Sequence, residues 1–593
     1  MAARFPADGR RAPIFTEIWP TLTAPAAAAT PTTATAGPEP FPARVARTTS
    51  RAGVAVALAL FVLAGLGLRV YQLGAESLSE DELNKVRAVA EYRERGLTPA
   101  NGEHPFLMKA LLTASIVAAE NWNATAARSN PRIQISTEAA ARLPGTLLGA
   151  LTALLLFLVA RELFGTEVGL IAAALWAFDP AAVGFNRIAK EDTFLVFFFL
   201  LANVFWLRGQ KVAEEGRRRP EPFYWATAAA FGAMLASKYV PHFLAISGAY
   251  YYAFQGVAAT RWRMGKRKWL VWFAVMGVAF VIFNPTILLP GTWAEMRTFA
   301  GEKRIGHDSY EFLGRLYGNQ MTLWLRGSPW YFYYVFMGVK LPVPALVGFV
   351  VGLPLLFLRR LGDGRYFLLF WLFFWFFPFT FLGGKFTRYF TFALPAVLLT
   401  SAVGVHYAAG LVGRLLARGD GRDAPSAAYA GAALAAAVVA FSLYGSASAA
   451  PHYRLYTNVI GGGTARAGTY FPHDEFYDAS AGDIAREVAR LAPPGARVAS
   501  ETPELLNYYA RLAGREDLRP VSLSDRAGVR EFGAGDLVVV ARGRRYLSNE
   551  EITERLAAAS QPAASVSLGG VPSARVYKLD AASAAQVAEA AAR

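Results

Sequence analysis

Three short polar segments stand out in a chain that otherwise consists largely of long apolar runs. They are Glu80-Asp81-Glu82, Glu103-His104-Pro105, and Arg187 through Asp192. Carboxylates beside a membrane are costly unless they do chemistry, such as taking a proton from a substrate. Each segment also has a plain structural interpretation. The first could be a solvated helix start before Leu83 to Tyr92, because acids favour the positive end of the helix dipole, and the third could be a neutralised turn.

Other ionisable residues are placed where they could meet an anion. Lys109 lies one turn into a helix that begins near Pro105, and Arg142 opens a long apolar run. Lys238, in Ser237-Lys238-Tyr239, departs from the distribution of the other cations, so it needs an anionic partner. His307 beside Asp308 could help to bind a metal, although a surface His next to an Asp is more often solvated.

Composition defines the class of protein that must position these residues. The 593 residues are 54% hydrophobic, and runs of roughly 20 apolar residues recur through the first three quarters of the chain. This pattern predicts a polytopic α-helical membrane protein. The net charge of +16 comes from Lys and Arg in short loops, which is typical of membrane orientation signals and disfavours nucleic acid as a partner. The chain has no Cys, which excludes disulfides and thiolate chemistry.

The apolar runs predict eleven membrane spans. They cover residues 52–70, 142–160, 167–184, 193–207, 222–237, 239–257, 269–289, 331–358, 366–382, 389–411 and 427–447. With this count, all the basic loops lie on one face, which the positive-inside rule makes cytoplasmic. The opposite, outer face then carries the loops 71–141, 185–192 and 290–330 and everything after Ser448. All three polar segments therefore lie on the outer side.

Three regions follow from this division. Residues 1–50 are rich in Ala, Pro and Thr and are predicted to form a disordered cytoplasmic tail. Residues 51–447 form the membrane region. In residues 448–593, helix-like stretches alternate with strand-like runs (483–491, 504–512 and 550–559 with 497–499, 537–540 and 575–578), which predicts a soluble α/β domain outside the membrane.

A series of motifs resembles the protein O-mannosyltransferase superfamily, which includes the aminoarabinose transferase of lipid A. The series extends over about residues 52–410, and each motif on its own is weak. It departs from the family at Phe106, which stands where the second proline of a His-Pro-Pro motif is usual. The motifs are, in order, Asp81-Glu82, His104-Pro105 with Lys109, Arg142-Leu143-Pro144, Arg187 with Asp192, Ser237-Lys238-Tyr239, and Arg388-Tyr389 with Pro395.

The resemblance implies a glycosyltransferase C fold and a bacterial-type inner (plasma) membrane location. It also implies transfer of a mannose-like hexose or a pentose from a polyprenyl-phosphate donor to a hydroxyl acceptor, with inversion. A phosphate leaving group needs no general acid, so one carboxylate base and several cations suffice. Asp81 matches the catalytic acid, with Glu82 beside it, and Asp192 matches an acid that positions acceptor or metal. The remaining candidates are Arg142, Lys109, Lys238 and Arg388 for the donor phosphate, and His104, Arg187, Glu191 and His307 elsewhere in the site.

The sequence leaves several alternatives open. The acceptor could be protein Ser or Thr, or instead a glycan or a lipid such as lipid A. A divalent metal held by Asp81, Asp192 or His307 is neither required nor excluded by the sequence. A flippase for lipid-linked sugars would also have many spans, but it should carry charges along a pathway through the membrane, whereas the acids here lie at span ends.

Overall fold

The computed structural model describes residues 50–216, 218–255, 264–301, 306–420 and 424–592. The predicted tail of residues 1–50 therefore lies outside the described chain except for Ser50, whose side chain caps the first helix at the Gly53 amide. The described chain is mainly helical up to residue 449 and combines helices with a sheet after residue 472.

The first part contains both long apolar helices and shorter ones. Their bounds are α1 Arg51–Val70, α2 Glu80–Arg95, α3 Phe106–Ala124, α4 Thr137–Phe164, α5 Thr166–Phe178, α6 Pro180–Asn186, α7 Glu191–Glu215, α8 Glu221–Leu235, α9 Leu244–Gln255, α10 Lys266–Phe283, α11 Pro290–Gly301, α12 Phe332–Lys340, α13 Val343–Leu355, α14 Gly364–Phe381, α15 Leu394–Asp420 and α16 Ala424–Ala449. A two-stranded antiparallel hairpin, β1 Gly306–Phe312 and β2 Arg315–Gln320, lies between α11 and α12.

Length and hydropathy qualify six helices of the described chain as membrane spans: α1, α4, α7, α14, α15 and α16. A seventh is obtained if α5 and α6, which are bent by 59° at Asp179, form one span. The prediction of a multi-pass helical membrane protein is confirmed in this form, whereas the count of eleven is not. Helices do lie within the other predicted intervals, but α8, α9 and α13 are short for a bilayer, and α10 begins with three basic residues.

Helices α13 and α15 pack against each other at close range. Gly352 and Gly404 face each other where α13 crosses α15, and a Cβ on either would lie 2.0 Å from a backbone oxygen of the other helix. The membrane core continues through buried aromatic rings, including Trp176, Trp371 and Trp375. Such tight contact between small residues is a usual way to hold apolar helices together without a hydrophobic driving force.

The last part of the chain forms a five-stranded sheet of order β4-β3-β5-β7-β6. Strands β3, β4 and β5 are parallel, and β7 pairs antiparallel with β5 and β6. The bounds are α17 Pro472–Phe476, α18 Ala481–Leu491, β3 Arg497–Ser500, α19 Pro503–Leu512, β4 Arg519–Ser522, α20 Arg526–Arg530, β5 Leu537–Ala541, α21 Glu550–Ala559, β6 Ala564–Leu568, β7 Val571–Lys578 and α22 Ala581–Ala592. Every helix and strand predicted after residue 448 is present.

The sheet is covered on both faces, because successive strand residues point to opposite sides. Val498 and Val539 pack with α18 and α19, whereas Ala499 and Val538 pack with α20, α21 and α22. The first of these two cores also contains Leu83 of α2. The sheet is therefore joined directly to the helix that carries the first polar segment.

Candidate active site

Helix α2 places the three acids of the first polar segment in its first turn. Ser79 caps the helix: its hydroxyl accepts from the Glu82 amide, and its own amide donates to Glu82 Oε2 at 2.8 Å. This reciprocal capping box confirms a helix start at Glu80. Successive helical residues point about 100° apart, so the three carboxylates face different surroundings.

Glu82 is buried and forms a two-point ion pair with Arg142 of α4. Arg142 donates from Nε to Oε1 and from Nη2 to Oε2, each at 2.8 Å, and the Ala189 amide also donates to Oε1 at 2.8 Å. The other Arg142 donors bind backbone carbonyls, Nη1 that of Glu76 and Nη2 that of Ser77, each at 2.7 Å. Both charged groups are thus fully occupied by protein atoms.

Lys109 is equally occupied. Its ammonium lies 2.7 to 3.1 Å from the backbone oxygens of Ala100, Asn101 and His104, and the residue has no solvent exposure. Burial lowers the pKa of Lys109 to about 7. Three carbonyl acceptors use every donor of an ammonium group, so Lys109 organises the loop before α3.

Arg187 closes the end of α1. It donates to the carbonyls of Arg69 at 2.9 Å, Tyr71 at 2.6 Å and Gln72 at 3.0 Å, and its guanidinium lies 5.1 Å from the ring centroid of Tyr453. These carbonyls lie at a helix C-terminus, where no intrahelical donors remain for them. The guanidinium supplies those donors.

Asp81, one residue before Glu82, is in a different situation. Lys190 Nζ lies 2.7 Å and the Tyr477 hydroxyl 2.8 Å from Oδ2 of Asp81, and Arg388 Nη2 lies 4.0 Å from the same oxygen. The Asp81 side chain keeps 36% of its surface exposed. It is therefore both held and accessible.

Charge decides the protonation state of Asp81. Burial by itself raises the pKa of Asp81, but Lys190, Arg388 and Lys85 outweigh burial and hold this pKa well below its usual range. The carboxylate is ionised throughout the physiological pH range. It can accept a proton only in concert with a reaction that makes the donating hydroxyl more acidic.

Glu191 and Lys85 are buried next to Asp81, and partly exposed His104 lies beside them. Glu191 Oε1 lies 3.1 Å from Lys85 Nζ and 3.4 Å from His104 Nδ1. Burial lowers the pKa of His104 well below its usual value despite the opposing charge of Glu191, so the ring is neutral. His104 keeps 20% of its side chain exposed and can offer one ring nitrogen to a ligand.

Asp192 and Lys238 form a second ion pair, with Oδ1 and Nζ 2.5 Å apart. Lys238 lies 5.0 Å from the ring centroid of Tyr389, and Arg388 lies 5.6 Å from the same centroid. The aromatic ring of Tyr389 therefore connects this pair with the Asp81 cluster. Lys238 keeps 23% of its side chain exposed. The unusual position of Lys238 in the sequence is explained by its anionic partner.

Arg388 completes the cluster. Its guanidinium lies 4.1 Å from the ring centroid of Phe386 and donates from Nη1 to Asp474 Oδ1 at 3.3 Å. Asp474 is itself oriented by the Thr387 amide at 2.7 Å and the Tyr310 hydroxyl at 2.6 Å. Arg388 thus lies between the membrane helices and the segment that precedes the sheet.

The structure divides the sequence candidates into two groups. Asp81, Arg388, His104, Glu191, Asp192 and Lys238 lie around one partly open cluster, whereas Glu82, Arg142, Lys109 and Arg187 are buried and occupied. Four neighbours were missed as site residues: Lys85, Lys190, Tyr477 and Asp474. The position of Lys190 beside Glu191 and Asp192 in the third polar segment could have indicated the second of them, but nothing local singles out Tyr477 or Asp474.

Metal binding receives no support from side-chain grouping. Among the described residues, no three His, Cys, Asp or Glu side chains are placed to hold an ion. Asp81 and Asp192 face lysines, as described above. The side chain of His307 lies outside the described part of the chain, so its predicted part in a metal site stays a prediction.

The arrangement has two chemical capacities. An ionised, accessible carboxylate can take a proton from a hydroxyl, and cations with unused donors can stabilise a phosphate that acquires charge. Both capacities occur within one cluster at the ends of apolar helices.

Comparison with known proteins bears on this arrangement. Residues 131–289 match the family model described as dolichyl-phosphate-mannose-protein mannosyltransferase. This range contains Arg142, Arg187, Asp192 and Lys238 of the motif series. No curated protein matches the chain.

Among solved structures, 22 chains match. ArnT from Cupriavidus metallidurans bound to undecaprenyl phosphate is 16% identical, with a TM-score of 0.46, over 90% of this chain and 98% of that chain. The apo oligosaccharyltransferase of Archaeoglobus fulgidus is 12% identical, with a TM-score of 0.48, over 83% of this chain and 70% of that chain. The S. cerevisiae Pmt1-Pmt2 complex bound to the sugar donor is 19% identical, with a TM-score of 0.29, over 42% and 33%.

The family match confirms the resemblance inferred from the motif series over the part of the series that it covers. Asp81 and His104 lie outside the matched range, and the structure brings them to Lys190 and Glu191 inside it. Residues 131–289 of this membrane chain carry the sequence pattern of the dolichyl-phosphate-mannose-protein mannosyltransferase family.

Proposed function

We propose that the protein is an integral membrane glycosyltransferase of the glycosyltransferase C fold. It moves a sugar, a mannose-like hexose or a pentose, from a polyprenyl-phosphate donor to a hydroxyl acceptor. The family match over residues 131–289 supports this reaction class. The observation that carries the proposal is the juxtaposition of accessible Asp81 with cations that still have hydrogen-bond donors to offer.

These cations are Lys190, Lys238 and Arg388. An ammonium group has three donors and a guanidinium five. Within the described chain, Lys190 pairs with Asp81, Lys238 with Asp192, and Arg388 with Asp474 and, at 4.0 Å, Asp81. Each therefore keeps donors for a phosphate. Arg142 and Lys109, which the sequence suggested for this role, have none left, so we assign them to positioning Glu82 and the loop before α3.

The reaction follows from this assignment. Asp81 takes the proton of the acceptor hydroxyl while the hydroxyl oxygen attacks the anomeric carbon from the side opposite the phosphate. The bond between the anomeric carbon and the phosphate oxygen breaks, and polyprenyl phosphate leaves with an additional negative charge. Lys190, Lys238 and Arg388 stabilise that charge, so no acid is needed to protonate the leaving group. Attack from the opposite face inverts the anomeric centre.

For the acceptor we propose the hydroxyl of a protein Ser or Thr, with a glycan or a lipid such as lipid A as the alternative. The alternative that the protein is a flippase of lipid-linked sugars is less well supported. The ionisable cluster described above lies at helix ends and in the loops between helices, whereas a transport pathway requires polar groups near the middle of the membrane.

The direct test uses purified protein in liposomes with a panel of polyprenyl-phosphate sugars. We expect one donor to release polyprenyl phosphate and to label one class of acceptor among Ser/Thr peptides, glycans and lipid A. Release of phosphate with no acceptor labelled would indicate hydrolysis. Movement of intact donor between leaflets without release would establish a flippase and contradict the proposal.

Sidedness is a separate part of the proposal, with the site on the outer face of a bacterial-type inner membrane. Because the chain has no Cys, single Cys residues can report it. We expect Ser565→Cys, at an exposed position of β6, to react with a membrane-impermeant maleimide in intact spheroplasts, and Thr33→Cys to react only after lysis. The opposite labelling pattern would place Asp81 in the cytoplasm and favour a soluble nucleotide sugar as donor.

A further inference from the structure

The segment between the last membrane helix and the sheet has an unusual backbone. After α17, Tyr477 has φ 44° and ψ 48°, and Asp478 has φ 59°. Two successive non-glycine residues in the left-handed region are uncommon, and a bulky residue such as Tyr rarely adopts it. Such a conformation persists only where surrounding contacts hold it, so contacts with the rest of the structure must hold Tyr477 and Asp478.

Asp478 links this segment by hydrogen bonds both to the sheet and to α2. Arg544 donates to it from Nε at 2.8 Å and from Nη2 at 2.5 Å, just after β5 of the sheet. The Glu80 amide, at the first residue of α2, donates to Asp478 Oδ2 at 3.1 Å. The Ser77 amide also donates to the Ala479 carbonyl at 2.9 Å. The segment is thus tied to the sheet and to the start of the helix that carries Asp81.

The left-handed turn directs the Tyr477 side chain at Asp81. Its hydroxyl donates to Oδ2 of Asp81 at 2.8 Å, the same oxygen that Lys190 contacts at 2.7 Å. Burial raises the pKa of Tyr477 well above its usual value, so the phenol keeps its proton and acts as a donor. Among the described residues, no side chain or amide donates a hydrogen bond to Oδ1 of Asp81, and the ion pairs with Lys190 and Arg388 are closest at Oδ2. Two donors on one oxygen fix the carboxylate and leave the other oxygen available.

We propose that Tyr477 is a positioning residue that orients Asp81 so that Oδ1 receives the proton of the acceptor hydroxyl. The inference rests on the proposed glycosyl transfer and extends it to a residue 396 positions away in the chain. It also gives the region after residue 472 a part in the active site: the sheet, through Arg544 and Asp478, holds the turn from which Tyr477 reaches α2.

The test is the kinetics of Tyr477→Phe in the full-length protein, with the polyprenyl-phosphate sugar that the wild-type enzyme uses. Loss of one orienting hydrogen bond to a charged group should lower kcat about tenfold or more. The KM for the donor should stay within about twofold, because the phosphate is bound by other residues. Tyr470→Phe is the matched control: it removes a hydroxyl that donates to the Gly461 carbonyl at 2.9 Å in the same connecting segment.

A third variant separates positioning from folding. Site-specific 3-fluorotyrosine at position 477 keeps the donor and the shape of the ring, so it should retain most of the wild-type kcat. The proposal is overturned if Tyr477→Phe has the kcat of the Tyr470→Phe control. It is also overturned if the fluorinated variant loses as much activity as Phe, or if the loss equals a loss of folded protein in thermal unfolding. If the wild-type protein releases no polyprenyl phosphate from any donor, the proposed function itself fails.

Discussion

Asp81 and Glu82 are consecutive acids on the first turn of one helix, yet they belong to two different regions. Glu82 is 1% exposed, and its partner Arg142 donates its remaining hydrogen bonds to backbone carbonyls. Asp81 is 36% exposed and shares one oxygen among Lys190, Tyr477 and, more distantly, Arg388. The first region is closed to ligands, whereas the second keeps unused donors and an unused acceptor.

The same difference separates the cations. Arg142, Lys109 and Arg187 donate hydrogen bonds to backbone carbonyls at helix ends and in loops. Lys190, Lys238 and Arg388 instead pair with acids and keep unused hydrogen-bond donors. Residue type does not distinguish the two groups, and neither does proximity to a polar segment. Internal contacts use every donor of Arg142 and Lys109, whereas Lys190, Lys238 and Arg388 keep donors, and this difference can be tested by substitution.

The largest effect is expected at Asp81. Asp81→Asn removes the proton acceptor without changing size, so the transfer rate should fall by a factor of about 100 to 10,000 while donor binding persists. The measurement is single-turnover release of polyprenyl phosphate. Asp483→Asn, an exposed acid on α18 that pairs with Arg486, should retain full activity. Wild-type turnover in Asp81→Asn would remove Asp81 from the reaction.

Glu82→Gln should instead reveal a structural role. It leaves the Arg142 guanidinium buried without its counter-charge, which costs roughly 3 to 5 kcal/mol when one member of a buried pair is removed. We expect a lower midpoint of unfolding in detergent. Glu504→Gln, which disrupts the exposed pair with Arg87, should change stability by less than about 1 kcal/mol. A stable but inactive Glu82→Gln would move Glu82 into the catalytic group.

His473 offers a test of burial beside the cations of the Asp81 region. Burial, with Arg544 and Arg388, lowers the pKa of His473 to about 3. Between this value and the ordinary value of about 6.5, the unfolded chain binds a proton that the folded protein does not bind, so stability falls as the pH drops through this window. Between pH 7.5 and pH 5 the loss is about 2 kcal/mol. His473→Gln should lose less stability than wild type over that interval, and an equal loss would contradict the assignment.

The smallest effect is expected for a single phosphate contact. Lys238→Gln should raise the KM for the donor about tenfold, because a hydrogen bond to a charged group is worth about 1.5 kcal/mol or more. Lys268→Gln is the control, since Lys268 is half exposed and pairs with Glu221 away from the site. Equal donor KM values in the two variants would exclude Lys238 from phosphate binding and weaken the distinction between the two groups of cations.

Much of the architecture could be predicted from local patterns. The apolar runs predicted membrane helices, and the alternation after residue 448 predicted the helices and strands of the sheet region. The helix start at Glu80 was also recognisable, because Ser79 and Glu82 have the spacing of a capping box. The number of spans was less accessible, since short apolar helices such as α8 and α9 resemble full spans in sequence.

The sequence by itself determined that the chain is a helical membrane protein with charged segments at the ends of apolar runs, because these properties depend on composition and local periodicity. Only the tertiary structure decided which charges are occupied and which remain available. Whether Arg142 meets Glu82, or Tyr477 meets Asp81, depends on contacts between residues 60 and 396 positions apart. Such contacts are set by how whole helices and the sheet pack, and a hydrogen bond formed or left unformed by that packing is invisible to any pattern of neighbouring residues.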